Sequence, residues 1–206
     1  MTEPAETEVA RALECVVIGV ASSAGGVDSL LVLTGSLPPA FPAAILIAQH
    51  LGPSPTSRLA SVLGRRCSLP VRAAVDGDAI APGVVVVCPT GAHLAVRHGP
   101  RLWLSREGPL HFVRPSADRL FESLARTCGR HTIAVVLSGS GTDGAVGVRA
   151  IKAAGGTVIV EDRTTARFFG MPDAAIRTGA ADMILAIHQI SEALVALTLE
   201  TCHEPN

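Results

Sequence analysis

Three short stretches of this chain place nucleophilic, basic and acidic side chains where an α/β protein does its chemistry. The first, Val16-Val-Ile-Gly-Val-Ala-Ser-Ser-Ala-Gly-Gly26, is an apolar run that breaks into two serines and small residues before a helical stretch. A serine on such a strand-to-helix turn projects its hydroxyl above the sheet edge. The helix start behind it offers free N–H groups and a favourable dipole to a developing oxyanion. The same Ser22 or Ser23 also suits a plain helix cap. The second stretch, Ala44-Ile-Leu-Ile-Ala-Gln-His50, ends in a histidine just before Leu51-Gly-Pro53. A lone histidine there fits a structural role as well as a catalytic one.

The third stretch, Thr132-Ile-Ala-Val-Val-Leu-Ser-Gly-Ser-Gly-Thr-Asp143-Gly144, admits two readings. Gly139, Gly141 and Gly144 form G-x-G-x-x-G between a strand and a helix, with Glu161 and Asp162 roughly 20 residues further on. This is the spacing of a dinucleotide site. Against it stands Asp143 inside the loop, which would face a pyrophosphate with no basic residue beside it. The second reading uses that carboxylate: serine, histidine and aspartate on three strand exits supply nucleophile, general base and orienting acid. It accounts for three loops where the nucleotide reading accounts for one. The chain order Ser…His…Asp also differs from the Ser…Asp…His order of α/β-hydrolases.

These loops need elements to carry them, and apolar runs of strand length alternate with helical stretches along the chain. Strands are expected over 16–21, 44–49, 84–88, 93–97, 102–105, 132–138 and 157–160, and helices over 27–36, 57–63, 116–128, 144–154 and 191–201. This βαβ alternation predicts a doubly wound α/β domain, its mostly parallel sheet covered by helices on both faces. The turns within 84–105 predict a short antiparallel extension. Residues 1–14 read as an acidic, unstructured lead and 15–206 as a single domain.

Composition narrows the class. The 206 residues are 48% hydrophobic and 17% charged, which excludes a disordered chain. Aromatics make up only 3%, leaving Ala, Val, Leu, Ile and Gly to build the core. A formal net charge of −1 and so few stacking rings argue against a nucleic-acid platform. The five cysteines have neither disulfide nor zinc spacing, and His93, His98 and His111 are not spaced as metal ligands, so neither a metal nor a cofactor is expected. No apolar run reaches membrane-spanning length and the acidic start is unlike a secretory signal, so a cytoplasmic setting is expected.

An ordered set of motifs resembles the catalytic domain of the bacterial chemotaxis protein-glutamate methylesterases (CheB type). The pieces are Ser23-Ala-Gly-Gly26, Gln49-His50, Asp76-Gly-Asp78, Arg114-Pro-Ser-Ala-Asp118-Arg-Leu-Phe121, Ser138-Gly-Ser-Gly-Thr-Asp-Gly144 and Phe169-Gly-Met-Pro172. They span roughly 15–195 in the family's order. The resemblance implies hydrolysis of γ-glutamyl methyl esters on the cytoplasmic helices of methylated chemoreceptors, and in many members deamidation of glutamine. It places the nucleophile at Ser23, the histidine at His50, the aspartate at Asp143, and the oxyanion donors at the amides of Ala24 and Ser140. Ala24, Ser140 and Ala21 stand where the family often has Thr, Met and Gly. Arg114 and Met171 are candidate substrate contacts, Arg114 and Asp118 being equally suited to bracing a loop. Family members commonly carry an N-terminal receiver domain, so a stand-alone catalytic domain, open or controlled by a receiver in trans, is expected here. A non-catalytic scaffold relative is the remaining alternative.

Overall fold

A computed structural model describes residues 15–50 and 58–201. The acidic lead, the break after His50 and Cys202 lie outside the described residues. Seven strands form one sheet: β1 (Val17–Ser22), β2 (Ala44–Gln49), β3 (Val71–Ala73), β4 (Val85–Val87), β7 (Thr132–Val136), β8 (Thr157–Glu161) and β9 (Met183–Leu185). Their order is β3-β4-β2-β1-β7-β8-β9 and every pairing is parallel. The strand order reverses between β1 and β7, where a doubly wound sheet opens its crevice. The antiparallel extension is confined to β5 (His93–Arg97) and β6 (Arg101–Ser105), which pair as a separate ribbon. Residues 84–88, expected with that extension, instead join the parallel sheet as β4.

Strands buried on both faces explain the continuous Val/Ile runs. Alternate residues feed two cores. One lies under α1 (Gly26–Gly35), α2 (Leu59–Gly64) and α6 (Ile187–Thr201), built from Ile18, Val20, Leu30, Leu33, Ile45, Ile47 and Leu194. The other lies under α3 (Ala117–Cys128), α4 (Ala145–Ala153) and α5 (Gly170–Arg177) and includes Ala21, Leu46, Leu120, Phe121, Leu124 and Val148. The second sheet face is dominated by small residues. A Cβ on Gly19 would stand 2.7 Å from Leu124 Cδ1, so α3 lies almost against the strand backbone.

The α3 and α4 helices are joined by an exchange of carboxylates. Asp143, in the loop before α4, accepts hydrogen bonds from the amides of Ala117 (2.6 Å) and Asp118 (3.1 Å) and from Ser116 Oγ (3.0 Å), the cap of α3. Asp118, in the first turn of α3, accepts from the amide of Gly147 in the first turn of α4 (2.8 Å). Each carboxylate thereby satisfies orphan N–H groups at the other helix's positive end. Burial pushes the Asp118 carboxyl up, and the neighbouring Asp143 charge adds to this. A raised native value means that the ionised form is disfavoured by folding. The resulting penalty is complete above that value and is relieved as pH falls through it.

A Cβ on Gly147 would fall 2.6 Å from Phe121 Cβ and 3.1 Å from the Asp118 backbone. Gly147→Ala should therefore lower stability by about 1–3 kcal/mol, read as a lower urea midpoint. Asp118→Asn keeps an oxygen for the Gly147 amide and removes the buried charge, so it should match or exceed wild-type stability at pH 7 and lose that advantage in acid. Asp118→Ala leaves the amide unpaired and should cost about 1–3 kcal/mol at both pH values.

Candidate active site

The crevice between β1 and β7 brings the three predicted loops to one rim. The serine pair separates cleanly. Ser22 ends β1 fully buried, with its hydroxyl donating to Gln49 Oε1 at 2.6 Å. Ser23 is half-buried just beyond the strand, and its hydroxyl has no hydrogen-bond partner among the described residues. Its backbone is clamped on both sides: the N–H donates to Ser138 O (3.0 Å), and the carbonyl accepts from Gly26 N (2.9 Å) and Gln49 Nε2 (2.9 Å). Gln49 Nε2 also donates to the His50 carbonyl at 2.8 Å, so one buried amide ties the exits of β1 and β2 together. Sequence reasoning quoted Gln49 without giving it a role. Its one visible sign was a polar residue closing an otherwise apolar buried strand.

His50 Nε2 lies 2.8 Å from Asp143 Oδ2. Burial pushes the Asp143 carboxyl up, but hydrogen bonds from His50 and from the amides of Ala117 and Asp118 outweigh it and hold the group below its ordinary value. The ionised carboxylate must accept from Nε2–H, which leaves Nδ1 of the neutral imidazole as the unprotonated nitrogen. Behind the acid stands His93, fully buried on β5. Its Nδ1 accepts from the Ser116 amide (3.1 Å), so Nε2 carries the proton and donates to Gly108 O (3.0 Å). Burial, with Arg119 and Arg114 nearby, lowers its pKa and favours this neutral form. Neither Ser116 nor His93 was assigned a part from sequence, because the contact joins elements far apart in the chain.

The amides of Ala24 and Ser140 have no hydrogen-bond partner among the described residues. The glycine loop reaches the serine turn closely: a Cβ on Gly139 would stand 2.9 Å from Ser23 Cβ and 2.3 Å from Met171 Sδ. Met171 is fully buried beneath that loop, so it supports Gly139 and is not presented to a substrate. Its neighbour Pro172 lies in the first turn of α5, a helix not expected from the sequence, where its missing N–H leaves no intrahelical bond unmade. Ser138 Oγ donates to Ala24 O (2.9 Å) and accepts from Phe168 N (3.0 Å), joining the exits of β1, β7 and β8.

The same geometry removes the dinucleotide reading. Glu161 is fully buried, accepting from the Ser138 amide (2.8 Å) and Ser29 Oγ (3.2 Å), and does not face a ribose. The start of α4, where a pyrophosphate would bind, is taken by Asp118. Arg114 braces the segment before α3 by donating to the carbonyls of Arg106 (3.3 Å) and Glu107 (2.9 Å); it does not pair with Asp118. Burial pushes the thiols of Cys88 and Cys128 up to about 12, leaving no competing thiolate there. Among the described residues no three His, Cys, Asp or Glu converge as metal ligands, and no helix is long and apolar enough to cross a membrane.

The chain is similar to several known proteins. Residues 17–194 match the CheB methylesterase family model. A protein-glutamate methylesterase/protein-glutamine glutaminase of Anaeromyxobacter dehalogenans is 39% identical over 96% of this chain and 58% of its own length. One from Pyrococcus horikoshii is 37% identical over 87% of this chain and 50% of its own. The chain thus spans about half the length of the curated relatives it matches. The crystal structure of the Thermotoga maritima CheB methylesterase catalytic domain superposes with a TM-score of 0.85 at 37% identity, covering 89% of this chain and 98% of that one. With the family model spanning nearly all of the sheet and the match extending over a complete catalytic domain, the chain belongs to the CheB methylesterase family.

Proposed function

We propose that this chain hydrolyses γ-glutamyl methyl esters on a protein substrate, with Ser23 as nucleophile, His50 as general base and Asp143 as orienting acid. The observation that carries the reading is the His50–Asp143 pair, 2.8 Å apart, on the rim that also bears the Ser23 hydroxyl, which has no hydrogen-bond partner among the described residues. Ser23 Oγ attacks the ester carbonyl as His50 Nδ1 takes its proton. Asp143 stabilises the imidazolium through Nε2–H. The amides of Ala24 and Ser140 receive the oxyanion. Collapse returns the proton to the departing methoxide, releasing methanol. Water, activated by the same imidazole, then cleaves the acyl-enzyme to glutamate and free Ser23. The same path opens a glutamine side chain with ammonia as leaving group, in line with the double name of the relatives. The fitting substrate is the cytoplasmic helical region of a methylated chemoreceptor.

Two mutational tests follow. Ser23→Ala should lower kcat on a methylated receptor fragment by about 10⁴-fold or more, leaving residual catalysis from the oxyanion donors and binding. Ser22→Ala, which removes a hydroxyl bonded only to Gln49, should stay within about tenfold of wild type. Equal losses in both variants would overturn the assignment. Gln49→Leu keeps the volume but frees both strand exits. It should reduce kcat about 10–100-fold with KM little changed, as expected for misplacement of reacting groups.

A further inference from the structure

Aromatic residues are scarce in this chain, and their placement is uneven. Of five phenylalanines, Phe41 and Phe121 fill the cores. The other three, Phe112, Phe168 and Phe169, stand in the two loops beside the catalytic rim. Phe112 is 102% exposed and Phe168 43% exposed.

The Phe112 loop places the ring outward at a conformational cost. Leu110 and Val113 exchange backbone hydrogen bonds (3.1 and 3.0 Å), making His111 and Phe112 the two central residues of a tight turn. Both have positive φ, 49° and 67°, a pairing that ordinarily calls for Asn-Gly. A phenylalanine in the left-handed region is strained, and here the strain is not offset by burial. The base of the loop is held by Arg114 on two carbonyls, by His93 on Gly108 O and by an Arg119–Glu107 ion pair. The tip is therefore presented from a braced stem. Three residues lie between Phe112 and Ser116, whose hydroxyl holds Asp143, so the two Cα atoms are within about 15 Å.

Phe168 approaches the rim from the other loop. A Cβ on Gly25 would meet its ring at 3.1 Å, so Phe168 packs on the Ser23 turn itself. Arg167 lies over the Phe168 ring (5.9 Å) and Arg163 over the Phe169 ring (4.1 Å); each also stands beside an exposed acid side chain, Asp28 at 3.8 Å and Asp173 at 3.9 Å, in long surface pairs that a partner's carboxylates can replace. Exposed aromatics accompanied by arginines are the side chains that anchor protein interfaces. A small ester reaching Ser23 has no need of them. A γ-glutamyl ester on a protein brings the rest of that protein with it, and exposed rings beside the Ser23 turn are placed to meet it.

We propose that Phe112 and Phe168, with Arg163 and Arg167, form the docking frame that seats the helical protein substrate over Ser23. Phe112 meets an apolar ridge of the helix, and the arginines meet its acidic residues. This rests on the esterase reading above and adds where specificity for a protein resides. The test is Phe112→Gly, which suits the turn's backbone and so keeps the fold, with Phe112→Trp as the conservative partner. Hydrolysis of p-nitrophenyl acetate and of a methylated receptor fragment is compared. In Phe112→Gly the ratio of receptor to small-ester kcat/KM should fall tenfold or more, through KM, while Tm does not fall. Phe112→Trp should keep the ratio within threefold. An unchanged ratio in Phe112→Gly overturns the docking frame while leaving the esterase reading intact, as does a matching loss on both esters. Wild-type protein that cleaves neither ester overturns both.

Discussion

The carboxylate of Asp143 meets four donors: the Ser116 hydroxyl, the amides of Ala117 and Asp118, and His50 Nε2. Three of them belong to the start of one helix. A buried carboxylate without such donors would take up a proton and cease to be useful to a histidine. Seated on the amides of α3, Asp143 stays ionised while buried and can hold an imidazolium in place. The arrangement dictates more than a pKa. Because two of the donors are backbone amides of α3, the position and tilt of that helix against the sheet become part of the site. Asp118 reciprocates on α4, so neither helix can shift without disturbing both carboxylates. The burden of placing two acids together is unevenly shared: Asp118 is pushed up, Asp143 down.

Polar side chains, rather than apolar contacts, set the register of the rim. Gln49 bonds to Ser22, Ser23 and His50. Ser138 bonds to Ala24 and Phe168, and Glu161 holds the Ser138 amide. Apolar packing tolerates sliding, whereas a buried amide or carboxylate with all its partners satisfied admits few alternatives. Among the described residues, these bonds tie the exits of β1, β7 and β8 and the end of β2 to one another.

The candidate site was more legible in the sequence than the edges of the fold. Ser23, His50 and Asp143 stand at the ends of long apolar runs, where strand exits are easiest to place, and the choice between the two serines came from a resemblance of motifs. Its physical basis, the Ser22–Gln49 bond, joins residues 27 positions apart and leaves no local trace. Strands β3 and β9 have three residues each, too short to show a period. β4 was assigned to the wrong sheet because a parallel strand's partner is set by distant chain and not by the turn beside it. Pro172 concealed α5. The His111–Phe112 turn carries neither Asn nor Gly, so nothing in its composition announced two left-handed residues.

The small residues of the second sheet face are connected to the candidate site through α3. Its N-terminus can hold Asp143 only if the helix lies very near the sheet. Gly19, Ala21 and Ala134 provide the shallow surface that Phe121 and Leu124 press into. Gly144 continues it, since a Cβ there would sit 3.5 Å from Phe121 and 3.6 Å from Ala117 Cβ. Larger residues on this face would lift the helix and carry its amides away from the carboxylate before they reached the catalytic groups. Each core holds one phenylalanine among its buried residues, Phe121 in this one and Phe41 in the other, so what sets this face apart is the depth at which α3 sits. That depth is what delivers a helix terminus to a buried acid.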